Sequence, residues 1–171
     1  DIDSQLRSSF SLAALLPFNH YARKNLGYLQ AIQQGSTCII ESDDDNLPLP
    51  EFWSPPNATV TGLLGPHDAW INPYPYFGCE PIYPRGYALN AKKHNDFSDL
   101  KTIVVEAPIQ QYLSNGAPDI DARTRLVFGD DFYFENRPPL LLPQKSYCPF
   151  NSQNTRWFQP AFTLLYLPSY C

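Results

Sequence analysis

Residues 37 to 46 read Thr37-Cys38-Ile39-Ile40-Glu41-Ser42-Asp43-Asp44-Asp45-Asn46. A short apolar run ends in three consecutive aspartates. A buried strand that delivers carboxylates to the rim of an α/β sheet has this pattern. Ligands of open α/β sheets bind at the carboxyl ends of the strands. Three adjacent like charges repel one another, so the cluster must be solvated or neutralised by a cation. A solvated acidic turn uses the same residues, and spacing alone does not separate the two readings.

Working outward, Asn19 suits the N-cap of a helix over Tyr21 to Gln34. Ala22, Leu26, Leu29 and Ile32 recur at helical spacing and predict one apolar face. Gly35 is the expected C-terminal stop. Cys38 to Ile40 then reads as a short parallel strand. Helix, glycine, strand and acidic loop in this order make half of a βαβ unit. An earlier helix is expected over residues 4 to 15, ending before Pro17. Downstream, residues 47 to 57 and 65 to 87 read as Pro-rich or aromatic loops. Strands are expected over Ala58 to Leu64, Thr102 to Glu106, Leu126 to Phe128 and Ala161 to Leu167.

A chain of 171 residues is about one domain and can bury a real core. Its 43% hydrophobic and 17% charged residues fit a globular protein. The eighteen prolines predict much irregular structure. A net charge of −5 argues against general nucleic-acid binding. No apolar run approaches the ~20 residues needed to span a bilayer. The chain starts at Asp1 and has no methionine, which reads as a processed product or a fragment whose targeting signals have been removed.

Cys38, Cys79, Cys148 and Cys171 permit two disulfides, and no Cys-x-x-Cys pair points to zinc. Asn57-Ala58-Thr59 is an N-glycosylation acceptor pattern. Together they tilt the expectation toward the secretory pathway.

Five segments carry a family resemblance. They are Tyr21 to Tyr28 continuing through Ala31, Ile32 and Gly35 to Glu41–Asn46; Tyr83-Pro84-Arg85-Gly86-Tyr87; Pro118-Asp119-Ile120-Asp121-Ala122 with Arg125; Cys148 to Thr155; and Leu165 to Pro168. In this order they resemble the STELLO-type glycosyltransferase-like family. The first is also similar to the reversibly glycosylated polypeptides, the UDP-arabinopyranose mutases. The resemblance implies an α/β, GT-A-like (Rossmann-like) mixed sheet with helices on both faces, in a single domain. The first βαβ portion, which binds the nucleotide in that family, is expected upstream of residue 1.

By that resemblance Asp43 and Asp45 would hold Mn²⁺ or Mg²⁺ against the diphosphate of a nucleotide sugar, and Asp44 would face the sugar or ribose. Hard oxygen ligands suit such a cation. Arg23 or Lys24 is expected to reach the phosphates or to pair with the aspartates. Arg85 could contact phosphate or pair with an acidic loop. Asp119 and Asp121 are candidates for the general base that activates an acceptor hydroxyl, and equally for turn or capping residues. Asp130 and Asp131 are a backup. Asn151, Gln153 and Asn154 could bind sugar hydroxyls or satisfy loop backbone. His20, His67 and His94 read as packing or surface residues, and Trp53, Trp70 and Trp157 as core.

The expected activity is metal-dependent transfer of a sugar from a nucleotide-sugar donor, a UDP-sugar first among them, to a glycan or protein acceptor. The expected location is the Golgi lumen or the extracellular space. Two other readings share these residues. One is a secreted, non-catalytic interaction module whose exposed sheet edge is covered by a partner. The other is a cytosolic nucleotide-sugar mutase with free thiols.

Overall fold

The structure, a computed structural model, describes residues 9–91 and 94–169. It is mixed α/β, and its strands divide into two three-stranded sheets instead of one. The elements in chain order are α1 (Lys24–Gln33), β1 (Cys38–Ser42), β2 (Thr59–Leu64), β3 (Lys101–Glu106), β4 (Ile109–Gln111), α2 (Ala122–Phe128), β5 (Leu140–Leu141) and β6 (Asn154–Phe158). Short 3₁₀ turns link them, among them Ser11–Ala14, Tyr21–Arg23, Pro50–Trp53 and Gln159–Leu164.

The first sheet has the order β1-β6-β4 and is antiparallel throughout. In the second, order β3-β2-β5, β2 runs antiparallel to β3 and parallel to β5. The strand before the acidic turn is therefore not parallel to its neighbour. Its burial alternates: Ile39 and Glu41 point inward while Ile40 and Ser42 are exposed. That is the period-two pattern of a half-buried antiparallel strand. A glutamate at an inward position hid the alternation.

The helix begins later than expected. His20, not Asn19, caps the 3₁₀ turn that leads into it, its Nδ1 accepting from the Ala22 N–H at 3.1 Å. Asn19 sits at φ 50°, in the left-handed region. Gly35, at φ 76°, ends the helix as its freedom at positive φ allows. The buried stripe is rotated from the one predicted. Asn25, Leu26 and Tyr28 are buried and Ile32 is 41% exposed. Asn25 is kept inside by two bonds to the Leu167 backbone, its Nδ2 donating to the carbonyl at 2.7 Å and its Oδ1 accepting from the N–H at 2.9 Å.

Two expected strands are not strands. Leu126–Phe128 closes α2, started by the Asp121 cap. Residues 161–164 belong to the 3₁₀ turn Gln159–Leu164, whose first turn carries Pro160, where a missing N–H costs no hydrogen bond. Of the expected helix over 4–15, residues 4–8 lie outside the described residues, and Ser11–Ala14 is a 3₁₀ turn. Cys38, Cys79 and Cys148 are free thiols, so no disulfide joins any two of them, and Cys171 lies outside the described residues. Among the described residues no helix is long and apolar enough to cross a membrane.

Three small cores hold the parts together. Ala13, Leu16, Ala22 and Leu26 pack at the amino end. Tyr28, Ile39, Trp157 and Ala161 form the centre between α1 and the first sheet. Tyr74, Cys79, Ile82 and Ile120 anchor the long loop. Of the tryptophans expected in the core, Trp157 is there, but Trp53 is 73% exposed.

Candidate functional site

Helix and strand match in pitch beside the acidic turn. Four helical residues rise about 6 Å, and two strand residues about 6.6 Å. Lys24 and Tyr28, one turn apart on α1, can therefore meet Asp43 and Glu41. They form two rungs. In the inner rung the Tyr28 hydroxyl donates to one oxygen of Glu41, and Trp157 Nε1 donates to the other at 2.5 Å. Glu41 is only 6% exposed. Burial, and then the bond to Glu41, pushes the Tyr28 phenol well above its ordinary value.

The outer rung lies at the rim. Lys24 Nζ is 2.6 Å from Asp43 Oδ1. The same ammonium also donates to Ser152 Oγ at 3.2 Å and to the Ser42 and Ser152 carbonyls, each at 3.4 Å. Beyond Asp43 the chain turns. The Asn46 N–H returns to the Asp43 carbonyl at 3.3 Å, leaving Asp44 and Asp45 exposed.

A second chain of bonds runs from this turn across the molecule. Asn46 Nδ2 donates to the Gln153 carbonyl at 2.8 Å. The Gln153 side chain donates to Asn46 Oδ1 at 3.4 Å and to the Ala117 carbonyl at 3.3 Å, and accepts from the Asp119 N–H at 3.2 Å. Asp119 in turn bonds Arg85, through its carbonyl to the Arg85 N–H at 3.2 Å and through Oδ1 to NH1 at 3.4 Å. Gly86, at φ 82°, makes the turn that presents Arg85, whose side chain is 75% exposed. Thus Lys24, Asp43, Gln153, Asp119 and Arg85 are linked, through Asn46, by one relay of hydrogen bonds.

The remaining candidates have other surroundings. Asp121 caps α2, one oxygen accepting from the Thr124 N–H at 2.9 Å and the other from the Thr124 hydroxyl at 2.6 Å. Asn151 Oδ1 accepts from the Gln153 N–H at 3.0 Å. Asn154 opposes Ser42 in the ladder, and its carbonyl accepts from Tyr112 N at 2.8 Å and Gln111 Nε2 at 3.1 Å. The Arg23 guanidinium lies 5.0 Å from the centre of the Phe18 ring. Asp130, Asp131, His67 and His94 are exposed.

Sequence reasoning gave no site role to Tyr28, Glu41, Asn46, Ser152 or Trp157. One signal was available for the first two. Lys24/Tyr28 at i, i+4 against Asp43/Glu41 at i, i+2 is the pairing that helix and strand pitch favour.

The donor set fits a Mg²⁺ or Mn²⁺ ion only as part of a shared site. Among the described residues no group of three or more His, Cys, Asp or Glu could hold a metal. A magnesium ion commonly uses one or two carboxylates and completes its shell with water and substrate phosphate. Asp43 and Asp45 are the carboxylates that such a shared site would use. Next to them a groove of about 420 Å³ opens between α1 and β1, reaching from Ala31 and Cys38 to Lys24 and Ser42. Gly27 lines it without a side chain.

No family model matches the chain. Among its relatives is the Arabidopsis thaliana protein named Probable glycosyltransferase STELLO1, 30% identical over 188 aligned residues that take in 98% of this chain and 24% of the relative. The protein named Probable glycosyltransferase STELLO2, from the same plant, is 30% identical over 199 residues, taking in 98% and 25%. The chain therefore spans about a quarter of the length of the curated relatives it matches. All five resembling segments, and with them the rim described above, fall along a chain that is aligned almost end to end, and the chain belongs to the STELLO-type glycosyltransferase-like family.

Proposed function

We propose that this chain is the metal-binding part of a GT-A-type glycosyltransferase, which moves a sugar from a nucleoside-diphosphate donor to an acceptor hydroxyl. One observation carries the reading. The acidic turn, Lys24, the Arg85–Asp119 pair and residues 151–154 join through one chain of hydrogen bonds, with Lys24 and Ser152 128 positions apart in sequence. The class named for the relatives supports it.

In this reading Asp43 and Asp45 hold Mn²⁺ or Mg²⁺, with Asp44 toward the ribose or sugar. When bound, the cation neutralises charge on the leaving diphosphate. Lys24 and Arg85 add positive charge at the same rim. Of the two basic residues before the helix, Lys24 takes this role, because Arg23 stacks on Phe18. Asp119 accepts the acceptor hydroxyl's proton, since both Asp121 oxygens serve the helix cap. Gln153 orients Asp119 by accepting its N–H, while Asn151 and Asn154 bind sugar hydroxyls.

The open edge of β1 is consistent with the expectation of a covering partner. The Gln159 N–H bonds the Thr37 carbonyl, so residues 39 and 41 face β6 and residues 38 and 40 turn their amides to the open edge. A covering segment would pair there. The exposed Asn57 of the acceptor tripeptide supports a secretory, Golgi-lumen location.

Calorimetry with UDP- and GDP-sugars, with and without Mn²⁺, tests the reading beside an Asp43→Ala/Asp45→Ala variant. Metal-dependent binding lost in the variant is expected. A folded chain that binds none of these ligands would overturn donor binding by this chain.

The free thiols favour a second reading, a nucleotide-sugar mutase of a reducing compartment. NMR of the donor after incubation separates the two. A rearranged sugar still attached to its nucleotide supports the mutase.

A further inference from the structure

Lys24 opens α1, and its ammonium stands inside a ring of oxygens. Asp43 Oδ1 is 2.6 Å away, Ser152 Oγ 3.2 Å, and the Ser42 and Ser152 carbonyl oxygens 3.4 Å each. One carboxylate, one hydroxyl and two carbonyls form a set that suits hard cations in general. The ring comes from two distant parts of the chain, the end of β1 and the approach to β6. A positive charge already stands against the first carboxylate of the acidic turn.

We propose that Lys24 is an exchangeable resident counter-ion of this site. Without ligand it neutralises Asp43. When a divalent cation arrives with a diphosphate, Lys24 leaves Asp43 to the cation and turns to the phosphate oxygens. The inference rests on the metal–diphosphate reading above and adds the order in which charges are exchanged.

Three observations support the exchange. The two side chains are partly exposed, 31% for Lys24 and 40% for Asp43, so the pair is held weakly and opens at little cost. Lysine is a point charge on a flexible stem, with no fixed fork to break. One turn further along α1, Tyr28 is locked to Glu41, so the helix stays in place while the Lys24 side chain moves. Like charges at close range repel, so the ammonium and a divalent cation compete for Asp43.

The test measures free Mn²⁺ by electron paramagnetic resonance during titration of the whole chain. It compares the natural sequence with Lys24→Met, Lys24→Gln and Asp43→Asn/Asp45→Asn, each first shown to be folded by circular dichroism. Removing the competing charge should tighten Mn²⁺ alone by roughly five- to tenfold. The double aspartate variant should lose the ion. With UDP present the order should reverse, both Lys24 variants binding UDP with Mn²⁺ more weakly than the natural chain. Equal Mn²⁺ affinity with and without Lys24 overturns the exchange and leaves the metal–diphosphate reading standing. No Mn²⁺ binding by any folded form overturns both. Tighter Mn²⁺ with unchanged UDP binding overturns the turn of Lys24 toward phosphate.

Discussion

Tyr28 on α1 donates its hydroxyl hydrogen to Glu41 on β1, beside the core between α1 and the first sheet. Glu41 also accepts from Trp157 of β6, so one carboxylate ties a helix to two strands. A hydrogen bond to a charged group contributes about 1.5–3 kcal/mol, and a buried group left unpaired forfeits its hydration as well. Tyr28→Phe should therefore cost about 2 kcal/mol, and Glu41→Ala about 3 kcal/mol or more, because it strands two buried donors. Urea unfolding should show lower midpoints with an unchanged slope. A Glu41→Ala midpoint equal to that of the natural chain would refute the network's role.

The two rungs also show what the sequence could and could not reveal. The acidic turn, the stop at Gly35 and the strands around Thr59–Leu64 and Lys101–Glu106 were legible because each depends on local chemistry. Charges crowd at the turn, positive φ selects glycine, and β-branched residues favour the pleat. Strand β6 was not legible. Asn154-Thr155-Arg156-Trp157-Phe158 mixes polar and apolar residues, and Arg156 is buried only because it reaches the Phe52 carbonyl at 2.8 Å and lies 4.9 Å from the centre of the Tyr112 ring. Those partners are far away in sequence. The direction of β1 was missed with it, since a strand cannot be oriented before its neighbour is found. At the rim, the pairing of Lys24 with Asp43 was legible from charge, whereas Ser152 and Asn46 enter through distant contacts.

Asp119 and Asp121 lie two residues apart and should respond differently to substitution. Both Asp121 oxygens serve Thr124, so Asp121→Ala removes an N-cap and should cost about 1 kcal/mol of stability. Transfer activity, where the reaction is reconstituted, should survive in the fraction that stays folded. Asp119→Asn keeps the size and the backbone bonds to Arg85 and Gln153 and should lose transfer by about 10²-fold or more while staying folded. Paired melting curves and initial rates check this. The reverse pattern would move the base to Asp121.

Alkaline pH should weaken the fold through its buried acids. Burial pushes the Cys148 thiol from 9.0 up to about 12. Above about pH 9 the unfolded chain releases that proton while the folded chain keeps it, so the folded state binds more protons and stability falls as pH rises toward 12. The phenol of Tyr87, raised by burial from 10.0 to about 12, adds to the decline above pH 10. One such group contributes at most about 1.4 kcal/mol per pH unit. Cys148→Ala should flatten the fall in melting temperature between pH 9 and 10 without abolishing it, because burial also raises Cys38 and Cys79. Identical pH profiles for the two proteins would mean that Cys148 is not protected.

Two glycines should respond to alanine with opposite signs. A methyl group on Gly62 in β2 would stand 2.5 Å from the Pro139 carbonyl oxygen and 3.0 Å from Leu141 Cγ. That oxygen already accepts from the Leu63 N–H at 2.8 Å, so the new atom must push away the segment that leads into β5. Overpacking of this kind costs about 1–3 kcal/mol, and the Leu63 and Gly65 amides, bonded to Pro139 and Leu141, should lose hydrogen-exchange protection. Gly27 in α1 has nothing within 4 Å of an added methyl group. Its change to alanine should stabilise the helix by about 0.5–1 kcal/mol. The same methyl group enters the groove beside Lys24, so a variant that is more stable yet binds donor less well would show that ligand occupies the groove.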